Sequence, residues 1–256
     1  MSSAGRGRNA SAPTRISECI VNSEVLRQKP DRPGTRRSCV DDSDRRANRQ
    51  ERRKQRTRAA LIKAAQRFIA AGKVNVPVQD ISHAADVGVG SFYNHFDSKE
   101  ELFQAAVNEV LDAHGALLDA IADASEDPAE TFARSFRLTG RMFRRRPEES
   151  GVVLSHGLEL ITSDRGLAPR SKRDIAAAAA AGRFDVEDPE LAMAVAAGAL
   201  LGLGQLLCDQ PERDAAQATD EVAENLLRLF GMPAEEAHRL CLRPLPFLDD
   251  GVSAVV

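Results

Sequence analysis

The most specific chemistry in the chain lies between Val78 and Phe96, VQDISHAADVGVGSFYNHF, where short and polar side chains bunch together after a tight turn. Asn94 can present an acceptor and two donors at once, the combination that pairs with an adenine edge in the major groove. Tyr93, His95 and Lys99 carry groups that reach phosphates, and Gly90 and Ser91 are small enough to let the backbone approach a duplex closely. Val89 can make only apolar contact, for instance with a thymine methyl. Phe92 and Phe96, four residues apart, fall on one helical face and are expected inside, which turns Tyr93 elsewhere.

Other chemistries find less support. The histidines His83, His95, His114, His156 and His238 include no pair at metal-binding helical spacing, and Cys19, Cys39, Cys208 and Cys241 form no CxxC. Neither a metal nor a cofactor is expected. His83 reads as a surface residue, and His114 and His156 as satisfied core or pocket-edge histidines. A hydrolase using His156 with Glu159 is the competing enzymatic reading, but no nucleophile elbow, phosphate loop or metal pair accompanies it, so the chain is not expected to be an enzyme.

The charge is divided in the way a nucleic-acid binder requires. The 256 residues carry a net charge of -3, yet residues 1–60 hold 14 Arg and 2 Lys against 7 acidic residues, leaving the remainder strongly acidic. The basic cluster Arg45, Arg46, Arg49, Arg52, Arg53, Lys54, Arg56 and Arg58 is either a solvated helix face or a phosphate-contacting extension. The cysteine usage makes a reducing cytoplasm the default location.

These groups must be positioned by helices, because apolar residues recur at helical spacing from Arg45 onward and nowhere alternate with period two. The fold class is all-α: an N-terminal three-helix helix-turn-helix domain followed by a longer helical domain. The first helix is expected over 49–71, ending at Gly72; a short one begins at Pro77; the third spans 89–95; and Ser98 with Glu101 forms a capping box opening a fourth. Asp127-Pro128 and Asp188-Pro189 start two more, an alanine-rich helix occupies 171–181, and the last strong helix runs over 212–230 with a weaker one at 234–242. The expected domains are a disordered basic extension at 1–44, a helix-turn-helix domain at 45–97, a second helical domain at 98–243 and a loose tail at 244–256. Within LAMAVAAGALLGLGQLL, shorter than the roughly 20 residues a bilayer needs, Ala194, Gly198 and Gly202 recur every four residues as either a buried or a subunit-facing stripe.

Residues 52–103 resemble the DNA-binding domain of TetR-type transcriptional regulators. The resemblance rests on Leu61, Ala64, Ala65, Phe68 and Gly72, on Ile81, Ala85 and Val87, and above all on GSFYNHFDSKEELF from Gly90 to Phe103. It implies that Val89, Gly90 and Asn94 face bases, that Ser91, Tyr93, His95 and Lys99 face the DNA backbone, and that Gln79 adds a contact. Three positions depart from the family pattern: Asp86 stands where a turn glycine is common, Gly88 where Ser or Thr usually caps the recognition helix, and Val76-Pro77 where Thr or Ser often caps the second helix.

LITSDRGLAPRSKRDI (160–175) and DPELAMAVAAG (188–198) also look like segments of this family. The resemblance implies a homodimer that binds a palindromic double-stranded operator as a repressor and is released by a small-molecule effector. Its last two strong helices then form the subunit interface, with Ala194, Gly198, Gly202, Leu226 and Leu229 facing the partner. Phe132, Phe136, Met142, Phe143, Leu154, His156 and Leu158 are the expected effector pocket, mostly apolar with one polar group. The alternative is a protein-interaction or non-specific DNA-binding module that keeps the helix-turn-helix, since Gly88, Val89 and Gly90 make a lean reading surface.

Overall fold

The computed structural model describes residues 39–73 and 75–245. Two compact units divide the chain, residues 1–45 and 46–256. The first unit is described only as the opening of a helix from Cys39, so the expected disorder of the basic extension is overtaken over 39–44 by helix, and the rest of that expectation and the end of the tail lie outside the described residues. Among the described residues the regular structure is entirely helical.

The elements are α1 (Cys39–Ala70), α2 (Val78–Ala84), α3 (Val89–Phe92), α4 (Lys99–Ala122), α5 (Pro128–Arg145), α6 (Pro147–His156), α7 (Leu167–Ala180), α8 (Pro189–Asp209), α9 (Ala215–Leu229) and α10 (Ala234–Leu242), with a 3-10 turn at Glu159–Thr162. Their ends follow local chemistry. Ser98 Oγ accepts from the Glu101 amide at 3.1 Å, and the Glu101 carboxylate accepts from the Asp97 amide at 2.6 Å, so α4 opens on a reciprocal cap. The Asp127, Asp188 and Asp214 carboxylates cap α5, α8 and α9 from one side, each accepting from a backbone amide of the first turn. Gly72, Gly182 and Gly231 stop α1, α7 and α9 at positive φ, where a side chain would strain the backbone.

Four boundaries differ from the sequence expectation. α1 begins at Cys39 rather than near Arg49, because nothing between those residues breaks a helix once the basic run is helical. α3 ends at Phe92, and Tyr93 to His95 form a turn instead of continuing the helix to His95. α7 starts at Leu167 rather than Ser171, immediately after Gly166 turns the chain at φ 70°. α9 starts at Ala215, because Asp214 caps it there.

One core joins α1–α3 to the front of α4 around Leu61, Ile62, Ile69, Ile81, Phe92, Phe96 and Leu102. A second joins α5 and α7–α10 around Phe132, Phe136, Phe184, Leu207, Leu227 and Phe230. Ion pairs tie its rim together: Asp220 on α9 receives Arg137 at 2.8 Å and Arg141 at 2.8 Å, both from α5. Arg183 bridges Asp127 and Glu236. α8 is long and apolar enough to cross a membrane by composition, but its inward side packs into this second core.

Candidate functional site

The recognition segment is a platform built on one buried ring. Phe92 has no exposed surface and stacks against Phe96 at 6.0 Å between ring centres, fixing the orientation of a helix too short to hold itself. Tyr93 meets the edge of Phe92 at 5.2 Å but is 58% exposed, so the ring is held while its hydroxyl faces outward. Val89, Gly90 and Asn94 are exposed beside it, Ser91 and His95 are half-buried, and Gln79 on α2 is exposed. Gly88 occupies the cap position of α3 with no side-chain hydrogen bond, and Pro77 does the same for α2 rather than being its first residue. Asp86 takes φ 56°, the left-handed conformation that a turn glycine adopts freely.

Positive charge converges on this platform from α1. Arg58 lies over the Phe96 ring at 5.2 Å, and Lys54 and Arg58 act with burial to hold the His95 imidazole below its ordinary pKa, burial being the larger cause. Lys99 is anchored by Asn75, its Nζ donating to Oδ1 at 3.2 Å. Sequence alone leaves the basic run undecided between a solvated face and a phosphate contact; the structure brings its Lys54–Arg58 end to the recognition segment.

A second feature is a cavity of about 90 Å³, partly open to solvent, between α4, α5, α6, α7 and α8. Phe132, Phe136, Met142 and Phe143 line it. Leu154, His156 and Leu158 do not. Leu154 turns instead toward Gly204 of α8. His156 spends Nδ1 on the Val152 carbonyl at 3.2 Å, making no bond to Glu159, and Leu158 lies beyond the end of α6, 79% exposed. The polar wall includes His114, read from sequence as a core or pocket-edge histidine, and Ser135, Thr139, Arg170 and Asp174, which the sequence pattern does not place there. The signal was present, because His114 interrupts the apolar stripe of α4 and Ser135 and Thr139, four apart, interrupt that of α5. Burial holds the His114 imidazole down to about 4, with Arg146 and Arg170 adding to the effect. Burial raises the Asp174 carboxyl despite Arg173 beside it.

The expected subunit face divides. Gly198 and Gly202 are exposed, Ala194 is half-buried, and Leu191 and Leu229 are each 64% exposed. Leu226 corrects the expectation: it is 5% exposed and belongs to the chain's own core, because its turn of α9 faces α5 and not outward.

Residues 61–106 match the family model described as bacterial regulatory proteins, tetR family, and residues 127–243 match a tetracyclin repressor-like C-terminal domain. A solved structure of RolR without ligand is 31% identical, with a TM-score of 0.59, covering 74% of this chain and 98% of that one. The chain belongs to the TetR family. RolR bound to resorcinol is 29% identical with a TM-score of 0.53, covering 77% of this chain and 98% of that one. Among curated TetR-type relatives, the transcriptional regulator TcmR of Streptomyces glaucescens is 33% identical over 88 residues, covering 34% of this chain and 38% of its own length. TtgR of Pseudomonas putida is 36% identical over 90 residues, covering 35% of this chain and 42% of its own. The chain therefore spans well under half the length of these two curated relatives.

Proposed function

We propose that this chain is a ligand-responsive transcriptional repressor that binds a palindromic operator as a homodimer and leaves it when a small molecule occupies the cavity. The observation that carries this reading is the exposed row Val89, Gly90, Tyr93 and Asn94, seated on fully buried Phe92 with Lys54 and Arg58 alongside. Cations alongside supply sequence-independent attraction to phosphates, while Asn94 and Val89 read base edges. One such short segment offers few base contacts, and a two-fold pair doubles them across half-sites about 34 Å apart. The outward face of α8 with Leu229 is apolar surface suited to that pairing.

Coupling has a physical route. α6 contributes Glu149, Ser150 and Val153 to the cavity wall. It also touches the end of α1, where Arg67 pairs with Glu148 at 3.4 Å and Ser155 Oγ donates to the Ile69 carbonyl at 3.2 Å. An effector shifts the population only by its differential affinity for the two arrangements of α6. The relative RolR is known with resorcinol bound, which supports a small molecule as the effector class here. The role is one of binding rather than catalysis, and its place is the cytoplasm, where the DNA is.

Selection of bound sites from random DNA with the full chain tests the reading. A recovered palindrome, bound at least tenfold more tightly than its scrambled version, is the expected result. Salt-dependent binding that ignores scrambling would instead make the chain a sequence-blind DNA-binding module.

A further inference from the structure

We infer that the cavity takes a small uncharged phenol, whose hydroxyl donates to Nδ1 of His114 and whose oxygen is within the reach of the Ser135 hydroxyl. This deepens the effector reading above and rests on it.

The argument begins with the protons. Thr139 Oγ1 donates its single proton to the Ser135 carbonyl at 2.8 Å. His114 Nε2 lies 3.0 Å from that same Oγ1, so it must carry a proton and donate. A neutral imidazole has only one, and burial keeps this one neutral. Nδ1 is therefore a bare acceptor, and no hydrogen bond from the described residues reaches it. Ser135, 5% exposed and one helical turn before Thr139, lines the same cavity and has an Oγ with no hydrogen-bond partner among the described residues. A buried hydroxyl left unsatisfied costs about 1–3 kcal/mol, which a ligand oxygen removes.

Charge excludes the commonest alternative. Arg170 is held by Asp119, Nε to Oδ1 at 2.8 Å, and by the Gly166 carbonyl at 2.9 Å; Arg165 is held by Asp112 at 2.8 Å. Arg170 is thus fully committed to the protein and Arg165 is paired with Asp112 toward the surface, while the Asp174 and Glu149 carboxyl groups in the wall disfavour an anion. Most of the wall is apolar and includes Phe132, Phe136 and Phe143, with Glu149, Ser150 and Ser171 adding polar groups, and the small volume suits a single ring. A phenolic proton is more acidic than an alkanol's, which makes it the better donor to an imidazole nitrogen.

Calorimetric titration of the full chain at neutral pH with phenol, anisole and benzoate tests this. Phenol should bind about tenfold more tightly than anisole, which lacks the donor, and benzoate more weakly than either. His114→Phe should bring phenol and anisole within about twofold of each other, and Ser135→Ala should weaken both several-fold. If His114→Phe does not fold, Thr139→Val removes the acceptor that fixes the tautomer and should narrow the same ratio. Equal binding of phenol and anisole, preference for benzoate, or no binding by any of the three would overturn the inference while leaving operator recognition standing. Loss of sequence-specific DNA binding with the ratios intact would sink the repressor reading instead.

Discussion

Gly151 of α6 sits directly on Ala70, the last residue of α1: a Cβ placed on Gly151 would lie 2.6 Å from the Ala70 Cβ and 2.9 Å from its Cα. Contacts that close leave no room for any side chain, and the obstacle is backbone rather than a flexible tip. Because α6 also walls the cavity, this glycine marks the point where the two ends of the molecule meet. Gly151→Val should destabilise the fold by about 1–3 kcal/mol through overpacking. It should also weaken operator binding without any effector, by pushing α6 off α1. Denaturant unfolding and fluorescence anisotropy on a selected operator measure both, and unchanged values in both would show that the contact is slack.

The turn between α2 and α3 is suboptimal in two separable ways. Asp86 holds φ 56° where glycine is unstrained, so Asp86→Gly should add roughly 0.5–1 kcal/mol of stability. Gly88 has φ -70°, an added Cβ there meets nothing within 4 Å, and the amides of α3 lack a side-chain cap. Gly88→Ser should therefore stabilise by about 0.5–1 kcal/mol through the new cap and a stiffer unfolded chain. Both appear as a higher urea midpoint at unchanged slope. A midpoint that falls in either variant contradicts the strain or the missing cap.

These positions also show how far the sequence could be read. Asp86 and Gly88 stand out because turn and cap chemistry is local, and Ser98, Asp127 and Asp188 announce helix starts for the same reason. Phe92 and Phe96 are placed inside by spacing alone. The short reach of α3 is not readable, because Tyr93 to His95 leave the helix under tertiary packing and not at a breaker residue. The assembled polar wall escapes the sequence because His114, the Ser135–Thr139 pair and Asp174 lie on three separate helices and meet only when α4, α5 and α7 pack. The resemblance puts Leu226 at the partner face, and spacing cannot correct it, because periodicity finds a helix's apolar stripe without saying whether its partner is the same chain or another.

Gly90 separates DNA contact from folding. A Cβ there meets nothing within 4 Å in the protein, so the fold has no steric need for glycine at this position. Gly90→Ala should leave stability unchanged or raise it by about 0.5–1 kcal/mol, as helix propensity implies, while weakening operator binding about tenfold by keeping the backbone off the duplex. Tyr93, the sole tyrosine in a chain without tryptophan, supplies an internal reporter of the same surface. Its emission should change on adding operator to the native chain. An operator affinity untouched by Gly90→Ala, or a silent tyrosine at saturation, counts against this surface as the reading face.

Gly202 makes the corresponding case for α8. It is exposed, and a Cβ on it meets nothing within 4 Å, so close packing inside the chain does not explain it. Gly202→Glu should preserve or improve the helix while placing like charges across a two-fold interface, weakening dimerisation by about 100-fold. Sedimentation velocity over a concentration series would detect the monomer. A variant as dimeric as the parent would place the subunit contact elsewhere.

His114 gives the fold a pH dependence of definite sign. Its folded pKa is about 4, against an ordinary 6.5, because burial and the neighbouring Arg146 and Arg170 oppose the charged ring. Between those values the unfolded chain binds the proton and the folded one does not, so stability is full above about pH 6.5 and declines as pH falls toward 4. The upper bound for this one group is about 3 kcal/mol, since each tenfold loss of proton affinity corresponds to about 1.4 kcal/mol. Asp119, Asp127 and Asp220, whose carboxyls are held below their ordinary pKa with partner arginines drawing them down, add their own losses at lower pH. The comparison therefore needs a variant. Urea unfolding at pH 7 and pH 5 should show a larger loss in the native chain than in His114→Phe, which keeps the ring-sized volume and cannot protonate. Equal losses would mean that the imidazole takes up its proton inside the folded protein, and the bare acceptor assigned to Nδ1 would then be untenable.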